Sequence, residues 1–490
     1  MYKEKPLPLF SPARRLPHSQ HPPRRRLHLR HITFLLACIL CICYFTLLSS
    51  SSSSASSRSP SHTHSETQSD TSTTPQKQQP SKARHDAGKG VPPSKRLPAS
   101  LLNNLTLTEE ECRATFPGLM KEIDDTVALG PFDVKDTGEF GPLQGRIKDG
   151  KLYILHTQRR KDLSQEMVNS RTATLHSLHR ALLTSPSPIK DTIFTLNFLD
   201  QPFGTCLTYS RPADPSLHSP DPNARLFLMP HFSFWAWPLP FIGSMSRAME
   251  AITRLEEGPE FGGEGGWQRK VSKAVWRGTT WFSSVTSPGM RAKLVQTTKD
   301  KPWADVEALD WDGKGKSARN GLKIEDFCRY KYVIHTEGVT YSGRFQYLQQ
   351  CASVVLTPPI QWVQHTTHLV RPLFSSDLNL TPRWEPSERV KKAWPVRYGP
   401  EEANIVFVAP DWSDLGAVVE WLEQHPDLAE GIARRQRELF VGGGYFSPAA
   451  EACYWRALMN GWAKVARVEG SGLEDMEGTP FELWAMTNGE

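Results

Sequence analysis

From about residue 145 to 440, short apolar runs alternate with longer stretches of helical periodicity, and no other feature restricts the fold of this chain as much. Segments 151–155, 192–198, 331–335, 352–356 and 405–408 read as strands. Segments 171–183, 342–350, 411–423 and 427–440 read as helices, the third capped by Asp411-Trp-Ser-Asp414. Alternation of this kind predicts an α/β protein with parallel sheets and crossover helices. Nearly four hundred residues are too many for one such sheet, so two Rossmann-like domains facing a cleft are expected. The aromatic, Pro-rich stretch 227–241 (FLMPHFSFWAWPLPF) reads as loop and partly buried strand between them.

The first hundred residues are of another kind. They hold 15 Lys and Arg against 4 Asp and Glu, a charge of +11 that leaves −5 for residues 101–490 of a chain whose total is +6. The basic balance is therefore confined to an N-terminal arm and gives no ground for a nucleic-acid partner. Residues 32–48 (ITFLLACILCICYFTLL) form seventeen positions without a charge, just enough helix for a thin bilayer core. A cleaved signal peptide is the rival reading, but the long basic leader and the absence of an Ala-x-Ala cut favour an anchor. Six arginines precede the span and none occurs in the next nine residues, which predicts a cytoplasmic N-terminus and type II topology. Residues 49–100, rich in Ser, Thr, Pro and Gln, read as a disordered stem. Basic tail 1–31, anchor 32–48, stem 49–100 and a large lumenal body match the plan of an enzyme of the Golgi or endoplasmic reticulum membrane.

The cysteines suit an oxidising lumen. Five lie in the body (Cys112, Cys206, Cys328, Cys351 and Cys453), without a Cys-x-x-Cys pair that would suggest zinc. Asn104-Leu-Thr and Asn379-Leu-Thr are N-glycosylation sequons.

The segment from Cys328 to Leu348, CRYKYVIHTEGVTYSGRFQYL, carries the chemistry. A buried strand runs into a loop with Gly338 and Gly343, and a helix is expected to open near Ser342. Free N–H groups at that helix start, with the forked cation of Arg344, suit a diphosphate. A plain tight turn at Gly338 is the alternative. Trp276-Arg-Gly278, Cys328-Arg-Tyr-Lys-Tyr332, Gly338-Val, Arg344-Phe-x-Tyr-Leu348 and Cys351-x-Ser-Val-Val355 stand in the order and spacing of the CAP10-like glycosyltransferases. The chain thus resembles glycosyltransferase family 90, which includes protein O-glucosyltransferases and capsule xylosyltransferases, over roughly residues 140–465.

The resemblance implies a GT-B fold, with an acceptor-side domain at 101–255, a donor domain at 256–445, and a segment 446–490 whose helix returns to the first. It implies inverting, metal-independent transfer of xylose or glucose from a UDP-sugar to a glycan or glycoprotein hydroxyl, with no cofactor beyond the donor. A catalytically inactive lumenal carbohydrate-binding protein is the competing function. Thr279, Arg291, Gly338, Ser342 and Arg344 look like donor-binding residues, whereas Arg277 looks structural. Asp162 and Glu166 stand in the interval where the family places its catalytic base. Gln364 stands where relatives often have an acid, and 376–402 looks like an insertion. The family's pairing implies disulfides Cys328–Cys351 and Cys112–Cys453, with Cys206 free. Asp310-Trp-Asp312 invites a metal-binding reading, but its Gly- and Lys-rich surroundings suggest a surface turn away from Arg344.

Overall fold

The computed structural model describes residues 96–487 apart from 158–162, 218–223, 240, 283 and 313–316. The uncharged span 32–48, nearly all of the stem and the candidate base Asp162 lie outside the described residues. Among the described residues, no helix is long and apolar enough to cross a membrane. The folded body begins before residue 101. Arg96 pairs with Glu257 at 2.6 Å, the Leu97 N–H donates to the Gly442 carbonyl at 3.1 Å, and a short helix spans Ala99–Leu102. The end of the expected stem is therefore ordered, because its Arg and Leu find partners on the body.

The described residues belong to one compact unit built on two six-stranded sheets. The first contains β1 (Leu143–Lys148), β2 (Lys151–His156), β3 (Thr192–Leu196), β4 (Cys206–Thr208) and β5 (Leu226–Leu228). The second contains β6 (Val271–Gly278), β7 (Ala304–Ala308), β8 (Tyr330–Ile334), β9 (Val354–Thr357), β10 (Pro372–Phe374) and β11 (Ile405–Phe407). Its order is β10-β11-β9-β8-β6-β7, parallel throughout. Strand β9 is buried at every position, as expected of a parallel strand covered on both faces, and so reads as an uninterrupted apolar run.

The first sheet departs from the expected all-parallel arrangement. Only β3, β4 and β5 run parallel, while β1 pairs antiparallel with both β2 and β3. The cause is local. Asp149 and Gly150 both have positive φ (50° and 72°), the geometry of a two-residue Asp-Gly hairpin turn, which can join only antiparallel strands. Near the C-terminus β12 (Thr479–Pro480) adds antiparallel to β2, giving the order β12-β2-β1-β3-β4-β5.

The helix Pro448–Val465 packs on this first sheet, where Trp462 Nε1 donates to the Ile193 carbonyl at 2.9 Å. It is also pinned there by the Cys112–Cys453 disulfide, with Cα atoms 5.7 Å apart. Cys328 and Cys351 form the second disulfide at a Cα separation of 4.9 Å, and Cys206 is a buried free thiol. Sequon Asn379 is exposed, whereas Asn104 is half-buried, its Oδ1 accepting from the Thr106 N–H and hydroxyl at 2.9 and 2.7 Å.

The helix expected over 342–350 is reduced to a single turn, Phe345–Leu348. The disulfide at Cys351 and the start of β9 three residues later leave no length for a second turn. One turn has little macrodipole, so an anion here must be held by side chains and loop N–H groups rather than by a helix end.

Candidate donor and acceptor cleft

A cleft of about 720 Å³ opens where the carboxyl ends of the two sheets meet. In the second sheet the chain leaves β6 outward to β7 and returns on the opposite side at β8, so β6 and β8 flank a topological switch point. Crevices outside such points are where open α/β sheets bind ligands. The segment after β6 supplies Thr279 and Arg291, and the loop after β8 supplies Gly338, Ser342 and Arg344. All five candidate donor residues line this one cleft. A Cβ at Gly338 would stand 2.8 Å from the Tyr341 carbonyl oxygen, so glycine is required there by close backbone approach, not by a left-handed φ.

The two arginines set the electrostatics of this wall. Arg291 Nε donates to the Glu337 carbonyl at 2.9 Å and Nη1 to the Thr279 carbonyl at 3.2 Å. Arg344 Nη1 donates to the Arg277 carbonyl, and its guanidinium lies 5.4 Å from the Phe327 ring centre. Among the described residues neither makes a salt bridge. Burial pushes Arg291 down to about 10, while burial and then the Arg291 charge push Arg344 down to about 9. Both remain charged at neutral pH. Two desolvated cations without carboxylate partners form a site that an anion of about two charges would neutralise. His335, buried beside them, is held neutral, pushed down to about 3 by burial and then by these two charges. Arg277 also lines the cleft, but its guanidinium is spent on the fold. It pairs with Asp305 at 2.7 Å and donates to the Asp305, Trp276 and Asn320 carbonyls.

The opposite wall comes from the first sheet and the aromatic stretch. It includes Glu166, Phe198, Asp200, His231, Phe232 and Trp237. Of the two candidate bases only Glu166 is described, and it lines the cleft near the start of helix Gln165–Leu183. Asp200, not singled out from the sequence as a base, sits four residues beyond β3. Its carboxyl is open to the cleft but walled in by protein. Burial, and then the charge of Glu166, raise it above the ordinary carboxylate range. Its backbone carbonyl accepts from the Thr340 hydroxyl at 2.7 Å, so Asp200 is fixed to the loop that carries Arg344. The available signal was its position just past the carboxyl end of a buried parallel strand.

The other candidates lie apart. Gln364 is buried and is absent from the cleft lining. Asp310 pairs with Arg319, and Asp312 accepts from Ser317 at 2.9 Å. Trp311 between them does line the cleft, so this turn is nearer the donor wall than its composition suggested. The 376–402 segment packs against the second sheet through Trp384 and Trp394, whose indole N–H groups bond Ser375 Oγ and the Ile360 carbonyl.

Residues 143–375 match the model of glycosyl transferase family 90, a span that contains the whole cleft. The chain is similar to protein O-glucosyltransferase 1 of Rattus norvegicus, 26% identical over 205 residues, 40% of this chain and 43% of the relative. It is also similar to the O-glucosyltransferase rumi homolog of Aedes aegypti, 26% identical over 209 residues, 41% of this chain and 44% of the relative. With O-glucosyltransferase rumi of Drosophila melanogaster it shares 22% identity over 209 residues, again 41% and 43% of the two chains. The matched region thus spans less than half the length of these curated relatives. The motifs that line the cleft all fall within the span 143–375 that matches the glycosyl transferase family 90 model.

Proposed function

We propose that this chain is an inverting glycosyltransferase of GT-B type that moves a sugar from a UDP-sugar to a hydroxyl of a protein or glycan. The observation that carries the reading is the pair Arg291 and Arg344, half-buried and, among the described residues, without carboxylate partners, on a wall that faces a carboxylate on the other lobe. The arginines bind the diphosphate and stabilise the negative charge that grows on it as the bond to the sugar breaks. Because they already supply positive charge, the transfer needs no divalent ion.

Asp200 is the general base. It takes the proton of the acceptor hydroxyl while that oxygen attacks the anomeric carbon, and UDP leaves from the opposite face. Its raised affinity for a proton suits that role better than an ordinary surface carboxylate would. Glu166 acts on Asp200 through its charge. The names of the relatives favour glucose as the sugar and a protein as the acceptor, with xylose as the second donor to try. Such transfer belongs in the secretory pathway, where both disulfides would form and where a type II anchor at 32–48 would hold the body in the lumen. An inactive carbohydrate-binding protein would have no use for a carboxylate of raised proton affinity facing two arginines that, among the described residues, have no carboxylate partner.

UDP release from UDP-glucose, UDP-xylose, UDP-galactose and UDP-glucuronate tests the proposal. Turnover with one donor, abolished in Asp200→Asn while UDP still binds, is the expected result. A folded protein that binds no UDP would refute it.

A further inference from the structure

Between the arginine wall and Asp200 lies a histidine that the transfer chemistry does not employ. Residues 229–234 follow β5 and carry His231 into the cleft lining, although its ring is only 3% exposed. The ring is clamped by Phe232, Trp237, Tyr209 and Tyr341 at centroid distances of 3.9, 5.2, 5.4 and 5.6 Å. One edge is fixed by hydrogen bonds. The Ser233 backbone N–H donates to Nδ1 at 3.2 Å, and Ser233 Oγ lies 2.8 Å from the same nitrogen. That hydroxyl in turn accepts from Gln346 Nε2 at 2.7 Å.

A backbone N–H can only donate, so Nδ1 is an acceptor and the ring proton resides on Nε2. Burial, with a smaller contribution from His365, pushes the imidazole down to about 3, so at neutral pH it carries one N–H and no charge. Among the described residues Nε2 has no protein acceptor. It lies against the donor loop, since a Cβ on Gly343 would come within 2.6 Å of it. Arg344 is the next residue. On the other side, Tyr209 and Tyr341, both in ring contact with His231, both feel the charge of Asp200. Nε2–H therefore stands on the ground between diphosphate and base, which the transferred sugar would occupy.

We infer that His231 Nε2–H donates a hydrogen bond to a hydroxyl of the donor sugar and thereby selects which UDP-sugar is transferred. The inference rests on the donor-site reading above. A buried, immobile N–H discriminates because a sugar lacking or inverting the matching hydroxyl leaves it unpaired. Ser233 and Gln346 are positioning residues that fix the tautomer and aim the ring.

The test compares wild type, His231→Phe and His231→Gln for UDP affinity by calorimetry and for kcat/KM on UDP-glucose, UDP-xylose and UDP-galactose. UDP affinity should stay within about twofold in both variants, because the hydrogen bond assigned to His231 goes to the sugar, which UDP lacks. His231→Phe should lower kcat/KM for the preferred donor by roughly 10–100-fold and compress the spread among the three donors. His231→Gln, which can offer an amide N–H near the same point, should recover part of both. If the phenylalanine variant fails to unfold cooperatively, His231→Met against His231→Gln carries the same comparison. An unchanged ranking and spread in a variant that binds UDP normally overturns the inference. Failure of the wild type to bind UDP would instead overturn the donor site itself.

Discussion

Replacing Arg344 with methionine should weaken the enzyme and not the fold. The guanidinium is pushed from an ordinary 12.5 to about 9, first by burial and then by Arg291. At about 1.4 kcal/mol per pH unit, this is on the order of 5 kcal/mol of unfavourable charge that the variant no longer carries. Against that gain, the Arg277 carbonyl loses a donor, costing about 1–3 kcal/mol. The contact with Phe327 is worth a further ~0.5–1 kcal/mol. The balance leaves the ligand-free variant as stable as wild type or more stable by about 2 kcal/mol. With the diphosphate bound the sign reverses. Loss of the charged fork removes ~2–4 kcal/mol of transition-state stabilisation, a fall of roughly 30- to 1,000-fold in kcat/KM. Arg344→Lys should recover little, because one ammonium cannot bind two oxygens side by side. Thermal unfolding with and without UDP, together with steady-state turnover, reads both effects. A lower unfolding midpoint with unchanged kcat/KM per folded molecule would refute the reasoning and make Arg344 a structural residue.

Three further outcomes follow from the same geometry. Asp200 must be ionised to act as base, and its pKa is raised, so kcat/KM should fall as pH drops through a midpoint above the ordinary Asp value of about 3.9. Glu166→Gln removes one raising charge and should move that limb to lower pH; an immobile limb would assign it to another group. Arg277→Met should cost about 2–4 kcal/mol of stability, measured by denaturant unfolding, because three carbonyls lose a donor and half-buried Asp305 keeps its bond from Tyr330 but loses its ion pair, while the folded fraction keeps its UDP affinity. Cys328→Ser should lower stability by about 3 kcal/mol through the loop of 23 residues it releases, and a smaller loss would mean the reduced chain is already held by β8 and β9.

The sequence by itself determined the strand-rich second sheet and, through family resemblance, both cysteine pairings and the five candidate residues that the fold gathers along one cleft. The sheet was legible because parallel strands buried on both faces leave continuous apolar runs, whereas a glycine or arginine at a strand end can equally serve the fold, as Arg277 does. Tertiary structure alone decided the rest. The antiparallel β1–β2 hairpin depends on the positive φ angles of Asp149 and Gly150, which a single Asp-Gly pair suggests without requiring. The truncated turn at Phe345–Leu348 depends on a disulfide and a strand that compete with helix propagation. Asp200 and His231 were not singled out as site residues for a common reason. Each lies on the first lobe, more than a hundred residues from Arg344, and an aspartate or histidine in a loop is ordinary until the fold sets it across a cleft from two unpaired cations. Periodicity records which face of an element is buried; it holds no information about which loop of one sheet will face which loop of another.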